Sequence, residues 1–265
     1  MYTIGLFATG RGQGSRGLLE ALHKSIQSGH LPVRIAFVFS NRDPGEFEAT
    51  DQFFAQVRGY GYPLVTSSFR KLRATVGRNR DWRAAYDTEI LRLLAPHRPD
   101  LCVLAGFLYV FGEEVCKTYS MVNLHPAAPG GPVGMWQEVI WKLIEQRARN
   151  SGNSMFAVTA DLDRGPIVSY STFQIAGETF DAAWKDVEGR RVEDIRSAEG
   201  ESLPLFQKIR MAGMLRERPL VVATVRASAE GRANIRGGQV FNTGPMPTVP
   251  IDLTREIEGL VPRDS

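Results

Sequence analysis

The sequence predicts an α/β fold in which a mostly parallel sheet carries helices on both faces. Short apolar runs, rich in β-branched and aromatic residues, alternate with longer segments of helical period through the first two thirds of the chain. The chain has 265 residues, 43% hydrophobic and 23% charged, which is the composition of an ordinary globular protein. It contains no internal repeat and no low-complexity tract.

The apolar runs predict strands that are buried on both faces of the sheet. These strands cover residues 2–9, 33–40, 101–105, 121–124, about 154–160 and about 167–174. Helical periodicity predicts helices over residues 17–27, about 47–58, 82–95, about 136–149 and about 203–216. Three prolines and three glycines predict a loop over 126–134.

The pattern weakens from Arg218 onward. Residues 221–225 are compatible with a strand, and the glycines and prolines that follow predict a loop-rich tail. We therefore expect a main domain over residues 1–217 and a C-terminal extension over residues 218–265, to which the sequence assigns no role.

Charge and apolar patterning narrow the class of protein. The net charge is +3, too small to favour a nucleic-acid binder. The apolar run over 101–112 is shorter than the roughly 20 residues that span a bilayer. The first residues lack the features of a signal peptide, and Cys102 and Cys116 lie in apolar surroundings typical of reduced core thiols. We expect a cytoplasmic protein that binds small molecules, neither nucleic acid nor membrane, with a homodimer among the open assembly states.

A glycine-rich turn joins the first strand to the first helix. Glycines let the backbone approach a ligand closely, and a helix N-terminus offers free N–H groups to an anion. The turn therefore predicts a phosphate site, for which the candidates are Gly12, Gly14, Ser15 and Arg16. The spacing Gly12-x-Gly14-x-x-Gly17 also matches the dinucleotide fingerprint, but the second strand ends without the acidic residue that NAD binding needs. A tight turn without a ligand stays open as well.

Asn123 and His125 lie at the carboxyl end of a predicted strand, where open α/β sheets bind ligands. Residues two apart in a strand point to the same side, so these two side chains face one site. Asparagine offers a neutral hydrogen-bond donor for an oxyanion, and histidine transfers protons near neutral pH. Asp161 and Asp163 follow in a later loop, and a carboxylate beside His125 would favour its protonated form.

These residues resemble the folate-dependent formyltransferases, and within that family the glycinamide ribonucleotide formyltransferases of purine biosynthesis. The resemblance covers roughly the first 215 residues. Its motifs are Ser40-Asn41, Arg83-Ala-Ala-Tyr-Asp87, Leu104-Ala-Gly-Phe107, Asn123-Leu-His-Pro126 and Leu162-Asp163-x-Gly165-Pro166.

The resemblance implies a formyltransferase-like Rossmann-type fold and transfer of a formyl group from 10-formyltetrahydrofolate, a cosubstrate, to a primary amine, without a metal. It assigns catalysis to Asn123, His125 and Asp163. It assigns the folate to Arg83, Leu104, Leu108, Tyr109, Val110, Phe111 and Asp161. It assigns the acceptor's phosphate to the glycine turn, where Gly14-Ser15 match the family's motif.

The sequence departs from the family at three places. Arg16 replaces an asparagine, residues 127–136 form an altered loop without histidine, and residues 180–196 lack a clear acceptor-binding match. Glycinamide ribonucleotide is the favoured acceptor, with another amine, such as an amino-sugar nucleotide, as the alternative. An NAD(P)-dependent oxidoreductase built on the glycine turn and a non-catalytic ligand-binding relative stay open.

Overall fold

The computed structural model describes residues 1–77, 81–161, 164–241 and 249–261. The strands are β1 (Tyr2–Phe7), β2 (Val33–Ser40), β3 (Leu64–Thr66), β4 (Leu101–Leu104), β5 (Met121–His125), β6 (Asn150–Ala157), β7 (Ile167–Gln174), β8 (Asn234–Arg236), β9 (Gln239–Phe241) and β10 (Ile251–Asp252). The helices are α1 (Gln13–Gln27), α2 (Glu48–Gly59), α3 (Phe69–Val76), α4 (Trp82–Leu94), α5 (Glu113–Thr118), α6 (Trp136–Glu145), α7 (Glu178–Asp186), α8 (Val192–Ala198), α9 (Pro204–Ala229) and α10 (Thr254–Glu258).

The main sheet is mixed and mostly parallel. Its eight strands follow the order β10-β7-β6-β5-β4-β1-β2-β3, and β8 pairs with β9 in a separate antiparallel hairpin. β1 pairs in parallel with β2 and β4, and the pairs β2–β3, β4–β5 and β7–β10 are also parallel. The predicted α/β fold with a mostly parallel sheet is confirmed.

The chain divides into two compact units. The first comprises residues 1–123, 156–168 and 224–249, and the second comprises residues 124–155, 169–223 and 250–265.

Aromatic side chains fill the core of the first unit. The ring of Phe7 on β1 lies with its centroid 5.6 Å from Phe37, 5.4 Å from Phe39, 5.4 Å from Phe107 and 5.3 Å from Phe111. The side chains of these five residues are buried. Because strands of a parallel sheet are covered on both faces, they read as continuous apolar runs in the sequence.

The core of the second unit forms around α6 and the first half of α9. The rings of Trp141 and Phe206 lie 5.0 Å apart. At the edge of this core the Arg210 guanidinium lies 4.5 Å from the Trp136 ring and forms a 2.6 Å ion pair with Glu217. Cations that stack on an aromatic ring and are partly buried in this way contribute more to stability than exposed ones do.

α9 continues through the predicted boundary at residue 217 and ends at Ala229. The strand considered for residues 221–225 is therefore wrong: Leu220, Val221 and Val225 are completely buried in a helix, and a short apolar run does not separate a buried strand from a buried helix. Neither α9 nor any other helix among the described residues is long and apolar enough to cross a bilayer. Whether residues 1–217 form a domain by themselves stays a prediction.

Both cysteines lie in the first unit and neither forms a disulfide. Cys102 and Cys116 are free and buried, as the sequence predicts. Burial raises the pKa of the Cys102 thiol far above its usual range and that of Cys116 to about 11.

Candidate functional site

Several predicted site residues lie at or directly after the carboxyl ends of three neighbouring parallel strands. Phe7 at the end of β1 pairs with Leu104 of β4, and Leu104 pairs with Asn123 of β5. Open parallel sheets bind ligands at this edge. The glycine turn after β1, the segment after β4 and Asn123 therefore begin side by side.

The glycines of the first turn fall into two kinds. Gly10 has φ +70°, and a Cβ there would lie 2.9 Å from the Phe53 ring, so both backbone and packing require glycine. Gly12 has an extended backbone with φ 177°, and no described atom lies within 4 Å of a Cβ at Gly12 or Gly14. α1 begins at Gln13 with no acidic residue in its first turn. A Cβ at either glycine would thus meet open space, and the first N–H groups of a helix have no partner within it, which suits an anion at this N-terminus.

Ser15 and Arg16 are committed to protein partners. Ser15 is buried, and its hydroxyl donates a 2.7 Å hydrogen bond to the Ala105 carbonyl. The Arg16 guanidinium donates to the Gln52 side chain, and the Arg16 backbone carbonyl accepts a 3.2 Å hydrogen bond from the Gln56 side chain. A contribution of Ser15 to a ligand would therefore come from its backbone, and Arg16 is held towards α2.

The segment after β4 is attached to the glycine turn. The Leu108 N–H donates to the Thr9 hydroxyl at 3.0 Å, and the Thr9 N–H donates to the Gly106 carbonyl at 3.4 Å. A Cβ at Gly106, which has φ +66°, would lie 3.1 Å from the Ser15 hydroxyl. The structure thus brings together the predicted phosphate turn and the predicted folate lining.

Side chains of this segment alternate between the core and the surface. Leu108 is 51% exposed and Val110 is 40% exposed, whereas Phe107 and Phe111 are buried and stack with centroids 5.3 Å apart. Leu104 is also buried. Leu108 and Val110 therefore supply apolar surface for a ligand, while Leu104 and Phe111 support it from beneath.

Tyr109 ties the segment to α4, where Arg83 lies. The Tyr109 hydroxyl lies 3.0 Å from Asp87 Oδ1, to which it donates, and 3.1 Å from the Arg83 carbonyl. Asp87 also accepts a 2.8 Å bond from the Gly112 N–H. Burial raises the pKa of the Asp87 carboxyl, and these two hydrogen bonds offset part of the rise. Arg83 and Tyr109, both of which the resemblance assigns to folate binding, are thus in contact.

His125 ends β5, two residues after Asn123, and both side chains are half-buried. His125 Nε2 lies 3.0 Å from the Pro132 carbonyl. A carbonyl oxygen only accepts, so Nε2 bears the proton in this geometry. Lys142 Nζ donates a 2.9 Å bond to the Val133 carbonyl and so anchors the same loop. The altered loop over 127–136 therefore orients the imidazole through its backbone.

The β6–β7 connection carries the predicted acidic residues. Asp161 is exposed, and its carbonyl accepts from the Thr159 hydroxyl at 3.0 Å and from the Arg164 N–H at 3.3 Å. A Cβ at Gly165 would lie 1.6 Å from the Ala157 carbonyl oxygen, so only glycine fits there.

The start of this loop lies beside the strand of Asn123, because the Val158 N–H donates to the Met121 carbonyl at 2.9 Å. Leu162 and Asp163 lie outside the described residues, so the catalytic assignment of Asp163 stays a prediction. Within the described ranges, no group of three or more His, Cys, Asp or Glu side chains is arranged to hold a metal ion.

One cation near the glycine turn is not singled out by the sequence analysis. Arg42 directly follows Asn41 after β2, and its Nη1 donates to the Thr50 hydroxyl at 2.9 Å. That hydroxyl lies 3.4 Å from the Thr9 carbonyl, to which it donates. The available signal was the motif Ser40-Asn41-Arg42, a cation placed directly after a parallel strand.

Comparison with known proteins shows what the chain is similar to. The phosphoribosylglycinamide formyltransferase of Escherichia coli (strain K12) is 26% identical over 177 residues, which cover 64% of this chain and 73% of that protein. The crystal structure of glycinamide ribonucleotide transformylase 1 from Symbiobacterium toebii has a TM-score of 0.64 at 22% identity and covers 92% of this chain and 95% of that chain.

A formyltetrahydrofolate deformylase from Pseudomonas syringae pv. tomato has a TM-score of 0.59 at 18% identity, covering 92% of this chain and 66% of that chain. At these identities the two solved structures show the fold alone. The family described as formyl transferase matches residues 7–190, which is more than half of the sequence. The chain therefore belongs to the formyl transferase family.

Proposed function

We propose that the protein transfers a formyl group from 10-formyltetrahydrofolate to the primary amine of a phosphorylated acceptor, with glycinamide ribonucleotide as the favoured acceptor. Its partners are then two small molecules. The observation that supports this most directly is the pair Asn123 and His125 at the end of β5, with the His125 imidazole oriented by the 3.0 Å hydrogen bond from its Nε2 to the Pro132 carbonyl.

Formyl transfer needs a group that stabilises negative charge and a group that moves a proton. The Asn123 amide is a neutral donor for the formyl oxygen, on which negative charge develops as the amine attacks. The other ring nitrogen of His125, Nδ1, takes the proton of the attacking amine, donates it in a hydrogen bond to the same oxygen and delivers it to the departing folate nitrogen. Overall, the new bond joins the amine nitrogen to the formyl carbon, the bond to the folate nitrogen breaks, and one proton passes from the amine to that nitrogen.

The exposed surface after β4 fits the formyl donor. When bound, 10-formyltetrahydrofolate supplies an activated formyl carbonyl. Leu108 and Val110 present aliphatic side chains suited to the face of a flat ring, and pockets of this kind combine apolar walls with a few polar groups. Arg83, exposed at the start of α4, is available to the acidic part of the folate, and Asp161 lies on the loop that would cover the ring.

The open amides at Gly12 and Gly14 support a phosphorylated acceptor. An anion there gains from free N–H groups and from the helix dipole, about 1 kcal/mol in total at a partly exposed site. This supports glycinamide ribonucleotide and an amino-sugar nucleotide alike, because both carry phosphate. The assay described next distinguishes these two acceptors.

The decisive assay incubates the protein with 10-formyltetrahydrofolate and follows tetrahydrofolate release. Separate reactions contain glycinamide ribonucleotide, an amino-sugar nucleotide, or no acceptor. We expect turnover with glycinamide ribonucleotide and little without an acceptor. His125→Ala should lower kcat about 10²- to 10³-fold with a modest change in KM, since it removes one charge-stabilising donor. Arg34→Ala, an exposed change on β2, is the control.

Three outcomes would contradict this proposal. Release without an acceptor at the same rate would indicate hydrolysis of the donor. Near-normal turnover of His125→Ala would exclude the proton-transfer role. Tight binding of NAD(P), with no binding of a folate analogue in a fluorescence titration, would favour an oxidoreductase built on the glycine turn.

A further inference from the structure

Two guanidinium groups approach one aromatic ring beside the glycine turn. The Arg42 guanidinium carbon lies 3.8 Å from the centroid of the Phe47 ring, and that of Arg70 lies 5.4 Å from it. Guanidinium groups stack on aromatic faces while their N–H groups stay available at the edge. Phe47 thus holds two cations in place, and we name Arg11, Arg42 and Arg70 the arginine cluster.

The arginine cluster is connected to the glycine turn. Arg42 Nη1 donates to the Thr50 hydroxyl at 2.9 Å, and that hydroxyl donates to the Thr9 carbonyl at 3.4 Å. Arg11 lies within the turn itself. Arg42 is therefore fixed to the turn by two successive hydrogen bonds, whereas Arg16 is directed to Gln52.

The arginine cluster has an excess of positive charge. Burial lowers the pKa of Arg42, the positive charge of Arg11 and Arg70 lowers it further, and Glu46 partly offsets these effects. Among the described residues none of the three arginines forms an ion pair with a carboxylate, and Asp43 is already paired with Lys71 at 2.8 Å. Arg42 Nε is also buried without a hydrogen-bond partner in this part of the structure.

These contacts point to a specific ligand group. We infer that Arg42, held by Phe47 and Thr50 and reinforced by Arg11 and Arg70, binds the phosphate monoester of the acceptor together with the amides of the glycine turn. A planar guanidinium binds two phosphate oxygens at once, and its permanent charge favours a dianion. Arg42 is then a specificity-determining residue for a phosphorylated over an unphosphorylated amine. This inference rests on the proposed function.

Arg42→Ala, Arg42→Lys and the control Arg34→Ala test the inference. Arg34 is an exposed residue of β2, the strand that precedes Arg42 in the chain. We expect Arg42→Ala to raise the KM of the ribonucleotide acceptor at least tenfold, with kcat and the donor KM within twofold of wild type. Arg42→Lys should restore part of the loss, because it keeps the charge and loses the stacked fork. The loss should vanish with the dephosphorylated acceptor, glycinamide riboside.

A measurement without turnover separates this inference from the proposed function. Titration with inorganic phosphate, followed by calorimetry or by thermal unfolding, should show binding that Arg42→Ala weakens and Arg34→Ala leaves unchanged. If wild type transfers formyl to the ribonucleotide and Arg42→Ala has an unaltered acceptor KM, the inference fails and the function stands. If no amine is formylated but phosphate binding depends on Arg42, the anion site stands and the acceptor assignment fails. Equal phosphate binding by all variants would overturn the site.

Discussion

A side chain at Gly14 would point into open space above the first turn of α1. The helix does not need glycine there, since alanine stabilises a helix by up to about 1 kcal/mol relative to glycine. We therefore expect Gly14→Ala to unfold at the same or a higher temperature than wild type while its acceptor KM rises roughly tenfold, because the methyl group displaces a phosphate oxygen at a cost of about 1.4 kcal/mol.

Steady-state kinetics with each substrate varied in turn, together with thermal unfolding, would check this prediction. Gly10→Ala is the contrasting change, because its positive φ and the Phe53 ring make it destabilising. Parallel rises in the KM of donor and acceptor for Gly14→Ala would instead indicate a general distortion of the site.

Asp87 makes stability depend on pH. Its carboxyl accepts from the Gly112 N–H at 2.8 Å and from Tyr109 at 3.0 Å, yet burial raises its pKa. A raised pKa in the folded state means that the protein binds this proton more tightly when folded, so the associated stabilisation is present at low pH and is lost as pH rises through the folded value. Asp87→Asn keeps the shape and removes this titration. Relative to wild type, the variant should gain stability as pH rises from the ordinary carboxyl value of about 3.8 towards neutral pH.

Urea unfolding of both proteins across that range would measure the difference in unfolding free energy. The exposed residue Asp194 supplies the control substitution, Asp194→Asn. A constant difference between wild type and Asp87→Asn over the range would show that the carboxyl titrates alike in the folded and unfolded protein.

At the scale of elements, the β8–β9 hairpin supports the loop that carries Asp161. A Cβ at Gly238 would lie 2.9 Å from Thr159 Cγ2, whereas no described atom lies within 4 Å of a Cβ at Gly237. Both glycines have positive φ, +55° at Gly237 and +73° at Gly238. Alanine at either position therefore has the same kind of backbone cost, about 1 kcal/mol, and only Gly238→Ala also pushes on the loop.

We expect Gly237→Ala to lower the stability of the protein and to leave kcat unchanged. Gly238→Ala should lower both the stability and kcat, the latter by about tenfold, because small displacements of a catalytic loop slow the reaction. Thr159→Ser in the Gly238→Ala background removes the methyl group and should recover most of the rate. It retains the hydroxyl that bonds to the Asp161 carbonyl. Identical kinetics for the two alanine variants would separate the hairpin from the site.

The elements that the sequence predicts well are those whose burial produces a simple pattern. β1, β2, β4 and β5 are covered on both faces, so their apolar runs mark them with small boundary errors. The run over 221–225 is equally apolar but lies in α9, because burial by itself does not choose between strand and helix. The local pattern contained no signal for the hydrogen bonds that the run would form.

The candidate site shows the same division. Local motifs at the ends of predicted strands identify Asn123 and the turn at Gly12 and Gly14 as candidates. The structure places them at one edge of the sheet. The hydrogen-bond partners of Arg16 and Arg42 both lie on α2. This helix is distant in sequence from Arg16, and a loop separates it from β2. Pairing of this kind is set by tertiary packing, so the sequence favoured Arg16 where the contacts favour Arg42.

At the scale of the whole molecule, the burial of both thiols should make the native protein slow to react with thiol reagents. Cys102 is completely buried and Cys116 is 7% exposed. Maleimides react with the thiolate, and a pKa of about 11 leaves roughly one Cys116 thiol in ten thousand ionised at pH 7. We expect both thiols to react within minutes in denaturant and over many hours in the native protein, with mass spectrometry counting the adducts. Rapid native labelling would contradict the burial of these residues.

Because both cysteines belong to the first unit, the labelling rate of the native chain measures how often that unit opens. Where reclosing outpaces the reagent, the rate is the equilibrium fraction of open molecules multiplied by the intrinsic reactivity of the thiol. The wild-type chain thus contains its own reporter of local unfolding. A ligand that occupies the glycine turn or the segment after β4 should slow the reaction, by a factor that gives its affinity without any catalytic assay.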